Sequence, residues 1–128
     1  MDNKEVSRIF DEMAFLLELE GENVFRIRAY QRVSEIIGQM EKNVFDMKDE
    51  ELLKIKGIGK GMVSHIKEIK EKGSFDEFDK LKKKYPSSLF ELSTIRGLGA
   101  KRIKILYEKM NIRTKDDLIG AIKNGRLR

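Results

Sequence analysis

The chain has 128 residues, of which 38% are charged and 40% hydrophobic, with a formal net charge of +5 and no cysteine. That length fits one compact domain or two small ones, with enough apolar material for a helical core, and the missing cysteines exclude disulfides and thiolate metal sites. No apolar run approaches a membrane span, and the acidic, amphipathic start MDNKEVSRIF is unlike a secretory signal, so a soluble cytoplasmic protein without a membrane partner is expected.

Helical periodicity accounts for almost all of the chain, and the expected fold class is all-α. Val6, Ile9, Phe10, Met13, Leu16 and Leu17 form one apolar stripe, and Gly21 is placed to end that helix. A second helix is expected over about 25–40, with Tyr30, Val33, Ile36, Ile37 and Met40 facing inward. A short helix near 49–54 leads into a glycine-rich turn, and the helix after it ends near Lys72 with Gly73 as C-cap. Ser74 and Glu77 have the spacing of a capping box for a helix that runs to about Lys84. Pro86 marks the clearest boundary and divides the chain into expected domains 1–85 and 86–128. Beyond it come a short helix near 88–93, a second glycine-rich turn, a helix to Met110, and a last helix capped by Thr114 and Asp117.

The two turns are copies of one motif. Ile55-Lys56-Gly57-Ile58-Gly59 recurs forty positions on as Ile95-Arg96-Gly97-Leu98-Gly99. An amphipathic helix follows each, with Met62, Val63, Ile66 and Ile69 in the first and Ile103, Leu106, Tyr107 and Met110 in the second. A tight turn between helices often needs positive φ, which glycine adopts without a Cβ clash, and a second glycine lets the main chain approach a ligand closely. The helix that starts at the turn presents unpaired N–H groups and the positive end of its dipole, which suits a phosphate. Lys60 lies in the first turn of one such helix, and Lys101 and Arg102 in the first turn of the other. The pattern resembles the helix-hairpin-helix element, which binds DNA backbone without reading sequence. On that basis Gly57, Ile58, Gly59, Lys60 and Gly61, with Gly97, Leu98, Gly99, Lys101 and Arg102, are the expected DNA-contacting residues.

Charge is unevenly placed along the chain. Residues 1–22 set Lys4 and Arg8 against Asp2, Glu5, Asp11, Glu12, Glu18, Glu20 and Glu22, a net −5 that leaves +10 on the remainder. A basic body behind an acidic first helix fits a polyanionic partner. The lysines at 80, 82, 83 and 84 read as a solvated helix end, and the phenylalanines read as core rather than as platforms for bases.

Taken whole, the chain resembles the N-terminal region of the family X DNA polymerases, the group that includes polymerase β. Residues 21–30 (GENVFRIRAY) are similar to the stretch that opens the second helix in bacterial and archaeal members. Residues 55–73 resemble the first hairpin of the family's 8 kDa domain, 92–112 the second hairpin, and 114–128 the segment leading to the catalytic palm. The resemblance implies a helical domain pair that binds gapped or nicked duplex DNA or primer junctions, as a monomer, at the front of a DNA-directed polymerase in DNA repair. The three palm aspartates that hold magnesium for nucleotidyl transfer have no counterpart here, and Asp116-Asp117 sits at a helix start, so no polymerase activity is expected from these residues and Mg²⁺ enters only with a following palm.

Arg26 and Tyr30 match positions of the family's 5′-phosphate pocket, with His65 as the third member in this chain. His65 stands where polymerase β-like members carry the lysine that forms a Schiff base with a 5′-deoxyribose phosphate. Imidazole cannot form that imine, and two further cationic positions of the pocket match Gly61 and Glu77. His65 flanks the apolar stripe of its helix and reads as a packing residue. The alternatives are a lyase that uses Lys60 or Lys67 as substitute amine, and a protein-interaction domain using the helical surface. The resemblance also implies a monovalent cation, Na⁺ or K⁺, at the main-chain carbonyls of Leu53, Ile55 and Ile58 and of Ser93, Ile95 and Leu98.

Overall fold

The computed structural model describes residues 1–125, and these are all-α with no strand among them. The helices are α1 (Asn3–Glu20), α2 (Val24–Gln39), α3 (Asp49–Leu53), α4 (Lys60–Lys72), α5 (Asp76–Lys84), α6 (Ser88–Leu92), α7 (Ala100–Met110) and α8 (Lys115–Lys123), with one 3-10 turn at Val44–Asp46. The final three residues of the segment resembling a palm approach, 126–128, lie outside the described residues. The chain forms two compact units that divide between Leu81 and Lys82.

The first unit is built on the α1–α2 pair. Asp2 caps α1 by accepting the Glu5 N–H at 2.9 Å, and Glu5 returns a bond to the Asp2 N–H. Gly21 ends the helix at φ 74°. Between these caps Val6, Phe10, Met13 and Leu17 are at most 1% exposed, while Ile9 at the edge of the stripe is half-buried. Each fully buried side chain of this kind stabilises the fold by about 1.5–3 kcal/mol. Asn3 ties the start of α1 to the segment after α2, donating to the Met40 and Lys42 carbonyls and accepting the Val44 N–H at 2.8 Å.

On α2 the inward residues are Ile27, Tyr30, Val33, Ser34 and Ile37, whereas Ile36 and Met40 are half-buried. Phe25, at the helix start, is 76% exposed, against the expectation of a core position. Asn23 caps the Phe25 N–H at 2.7 Å, and this fixes the ring in the first turn on the solvent side. Phe10, Phe75 and Phe78 do enter the core, at 0%, 0% and 3% exposure.

Helix α4 buries Val63, Ile66 and Ile69. Its polar edge reaches the 3-10 turn and α3 through Lys70 to the Phe45 carbonyl (2.9 Å) and Lys67 to Asp49 (2.7 Å). The capping box expected of Ser74 and Glu77 is not formed. Ser74 Oγ donates to Asp79 at 2.6 Å, and Glu68 on α4 caps the Asp76 N–H at 2.8 Å. Glu77 is drawn instead to Arg26 and Tyr30 on α2, where a charge-assisted bond outcompetes a local cap.

The second unit has a smaller core of Leu89, Leu92, Ala100, Ile103, Leu106, Ile112 and Ala121. Asn111 closes α7 in the left-handed region at φ 55°. Thr114 then caps α8 through the Asp117 N–H (3.0 Å), and Asp117 accepts the Arg113 N–H (3.0 Å).

Candidate nucleic-acid interface

Residues 54–59 join α3 to α4 in the first unit, and 93–99 join α6 to α7 in the second. The two turns repeat the same main-chain bonds. In the first, the N–H groups of Ile55, Ile58 and Val63 donate to Leu52, Ile55 and Gly59 at 3.0, 3.1 and 3.0 Å. In the second, those of Ile95, Leu98 and Ile103 donate to Leu92, Ile95 and Gly99 at the same three distances. The shared motif therefore folds into one shape twice.

The glycines divide the work. Gly57 and Gly97 take φ 106° and 84°, the left-handed region that lets the chain reverse. Gly59 and Gly99 are extended N-caps without a capping side chain, and a Cβ on either meets nothing within 4 Å. The N-cap glycines thus stand in open space, and the first N–H groups of α4 and α7 that follow them have no intrahelical acceptor. Ile58, 3% exposed, anchors its loop from below, and Leu98 does so half-buried.

Cationic side chains surround these helix starts. Lys60, Lys101 and Arg102 are exposed, as are Lys56 and Arg96 within the turns. Among the described residues none of the five is paired with a carboxylate. The Arg102 guanidinium folds back to the Gly97 carbonyl at 3.4 Å. Such a surface, with main-chain donors, dipole and free cations together, can hold a phosphate oxygen without touching a base.

The expected pocket residues Arg26, Tyr30 and His65 are also brought together, but around a carboxylate. One guanidinium nitrogen of Arg26 is held by Glu77 and the other by Glu22 at 3.0 Å. The Tyr30 hydroxyl lies 3.0 Å from His65 Nε2 and donates to Glu77 Oε1 at 3.4 Å. His65 stacks on Phe75 with ring centroids 4.1 Å apart, and Phe75 in turn lies 6.0 Å from Phe10. Burial lowers the His65 pKa despite the pull of Glu77 and Glu68, so the ring is neutral near pH 7. Burial also raises the Tyr30 hydroxyl above its ordinary value, with Glu77 adding to the shift. The Arg26 cation is thus balanced by two carboxylates. The Glu22 partner is readable from its i,i+4 spacing, whereas Glu77, 51 positions away, gives no sequence signal.

Lys67 is not an activated amine. The bond to Asp49 raises the Lys67 pKa and holds the ammonium charged, the opposite of what a Schiff-base nucleophile needs. Lys60 stands exposed in the first turn of α4. As to cations, the carbonyls of Leu53, Ile58, Ser93 and Leu98 accept no hydrogen bond among the described loop bonds, while those of Ile55 and Ile95 each accept one. Carbonyl oxygens with spare lone pairs fit a hard monovalent ion. Among the described residues no group of three or more His, Cys, Asp or Glu side chains could hold a metal, and no helix is long and apolar enough to cross a membrane.

Comparison with known proteins agrees with this geometry. A helix-hairpin-helix domain family model matches residues 1–75. The chain is also 30% identical over 118 residues to a protein of Bacillus subtilis (strain 168) described as a DNA polymerase/3′-5′ exonuclease PolX. That match covers 92% of this chain and 20% of the relative, so the chain spans about a fifth of the length of the relative it matches.

Proposed function

The chain belongs to the helix-hairpin-helix domain family, and from that premise we propose that it binds DNA by its phosphate backbone, without base preference, as the DNA-binding portion of a family X polymerase. The observation that carries this reading is the duplicated turn, with its matching bonds, uncapped helix starts and unpaired cations at Lys60, Lys101 and Arg102. The preferred substrate is a gap, nick or primer junction in DNA under repair. Residues 1–85 engage the strand downstream of the discontinuity and residues 86–128 the primer strand. A Na⁺ or K⁺ ion at the turn carbonyls would bridge the main chain to a DNA phosphate, and Mg²⁺ chemistry belongs to a palm outside these residues.

Affinity that comes from phosphate neutralisation falls steeply with salt, with a logarithmic slope of about 0.9 per phosphate contacted. The test is fluorescence anisotropy on gapped and intact duplexes of several sequences at two salt concentrations. Salt-dependent binding, tighter to the gap and indifferent to sequence, is expected. Equal binding to gapped and intact duplex would remove the gap specificity, and no salt-dependent binding would remove the DNA-binding reading.

A further inference from the structure

Two hydrogen-bond donors on α2, one turn apart, converge on a single carboxylate from α5. Glu77 Oε2 takes the Arg26 guanidinium and Glu77 Oε1 takes the Tyr30 hydroxyl. Neutral His65 fits the same chain of protons. With its hydrogen on Nε2 it donates to the Tyr30 oxygen at 3.0 Å, and Tyr30 donates onward to Glu77, so each proton is used once. The cluster therefore has the donors of an anion site and an anion already in it.

We infer that Glu77 is the resident anion of this site and closes it to a terminal phosphate of DNA, making Glu77 the residue that sets how this module treats a 5′-phosphate. A phosphate oxygen reaching for Arg26 and Tyr30 meets the two atoms of Glu77 in the places it needs. It also meets a local charge of −1 from Arg26, Glu22 and Glu77, with the half-buried histidine neutral beside them. The incoming group must displace a carboxylate that is tethered to the protein and keeps its high effective concentration. Glu22 is a lesser obstacle, because it pairs with Arg26 alone, four residues away on the same side of the chain turn, and leaves Tyr30 untouched. The inference rests on the DNA-binding reading but concerns only the 5′ end; the hairpin turns grip the backbone independently of it.

The test compares Kd for a gapped duplex with and without the 5′-phosphate in the gap, for the full chain and for Glu77→Gln and Glu22→Gln. The readout is the Kd without the 5′-phosphate divided by the Kd with it, a ratio that removes any uniform effect of altered charge. Freeing two donors, one of them charged, should raise that ratio at least about threefold in Glu77→Gln, while Glu22→Gln stays close to the parent. A smaller rise in Glu77→Gln, or an equal rise in Glu22→Gln, overturns the inference. Should Glu77→Gln fail to fold, Arg26→Gln decides. It leaves the parent ratio unchanged if Glu77 already occupies Arg26, and lowers it if Arg26 is serving a phosphate, which overturns the inference. Loss of salt-dependent binding to every duplex would sink the DNA-binding reading and this inference with it. Binding that survives with an unresponsive ratio sinks only the inference.

Discussion

Ser7 and Ser34 bond to each other's main chain. Ser7 Oγ donates to the Ser34 carbonyl at 2.7 Å, and Ser34 Oγ donates to the Ser7 carbonyl at 2.8 Å. Two hydroxyls thereby stitch α1 to α2, and Gly38 leaves room for Ser7. Ser34 is 7% exposed, so its bond is not replaced by water when lost. Ser34→Ala should lower stability by about 1–2 kcal/mol in denaturant titration. Ser34→Val should cost more, because it adds bulk at a tight contact. DNA affinity below the melting range should not change in either variant, since Ser34 bonds to α1 while Arg32 and Ile36 carry the approach of α2 to Gly57 of the turn; a weakened affinity would show that α1–α2 packing reaches the turn.

The two turn glycines should respond differently to a methyl group. At Gly57 a Cβ would lie 2.9 Å from Arg32 Cδ and 2.9 Å from Ile36 Cδ1, at φ 106°. At Gly97 it would meet nothing, and only the φ of 84° opposes it. Gly97→Ala should therefore cost about 1–2 kcal/mol from backbone strain, and Gly57→Ala more than that because α2 must also yield. Equal losses in thermal unfolding would mean that the Arg32 and Ile36 side chains swing aside freely.

Lys101 and Arg102 are exposed and carry no carboxylate partner among the described residues. Replacing both with alanine should weaken binding uniformly across DNA sequences and reduce the logarithmic salt slope by about 2. Arg102 also braces the Gly97 carbonyl, so Arg102→Lys is the useful partner variant: it keeps the charge and loses the brace. Unchanged affinity in the double alanine variant would remove these residues from the interface.

Much of this is legible in the sequence, for a physical reason. Helix period, glycine C-caps at Gly21 and Gly73 and the Thr114 cap are local signals, and local signals survive folding. The turn motif is local as well, which is why both copies adopt matching bonds. What escaped is non-local. Glu77 has a perfect local use as a capping residue beside Ser74, yet Arg26 and Tyr30 hold it from another helix. Ser7 and Ser34 are joined by reciprocal bonds across two helices, which no local pattern announces. Phe25 errs the other way, since an aromatic residue on a helix reads as core but its first-turn position leaves it in solvent.

His65 makes stability depend on pH with a definite sign. Burial depresses its pKa in the folded chain below the ordinary histidine value of about 6.5. Between the depressed folded value and the unfolded one, the unfolded chain binds more protons, so stability rises with pH there. The contribution is complete above about pH 6.5 and is lost as pH falls through the folded value. His65→Phe keeps a ring against Phe75 and removes the titration. The stability difference between pH 7.5 and pH 5 should then be smaller in the variant than in the parent, and an equal difference would assign the acid sensitivity to other groups.

Lyase chemistry makes the last demand on the same residues. Imine formation with an abasic 5′-phosphate requires an unprotonated amine beside the sugar, and the imidazole of His65 cannot supply one. Lys67 is held charged by Asp49, and Lys60 stands exposed in the first turn of α4. Borohydride added to the protein and such a substrate at pH 7.5 should trap no covalent adduct. Asp49→Asn removes the Lys67 partner, and the absence of trapping should persist, because losing a bond does not bring the amine to the sugar. A trapped adduct mapped to Lys60 or Lys67 by mass spectrometry would overturn this and make the chain an enzyme in its own right.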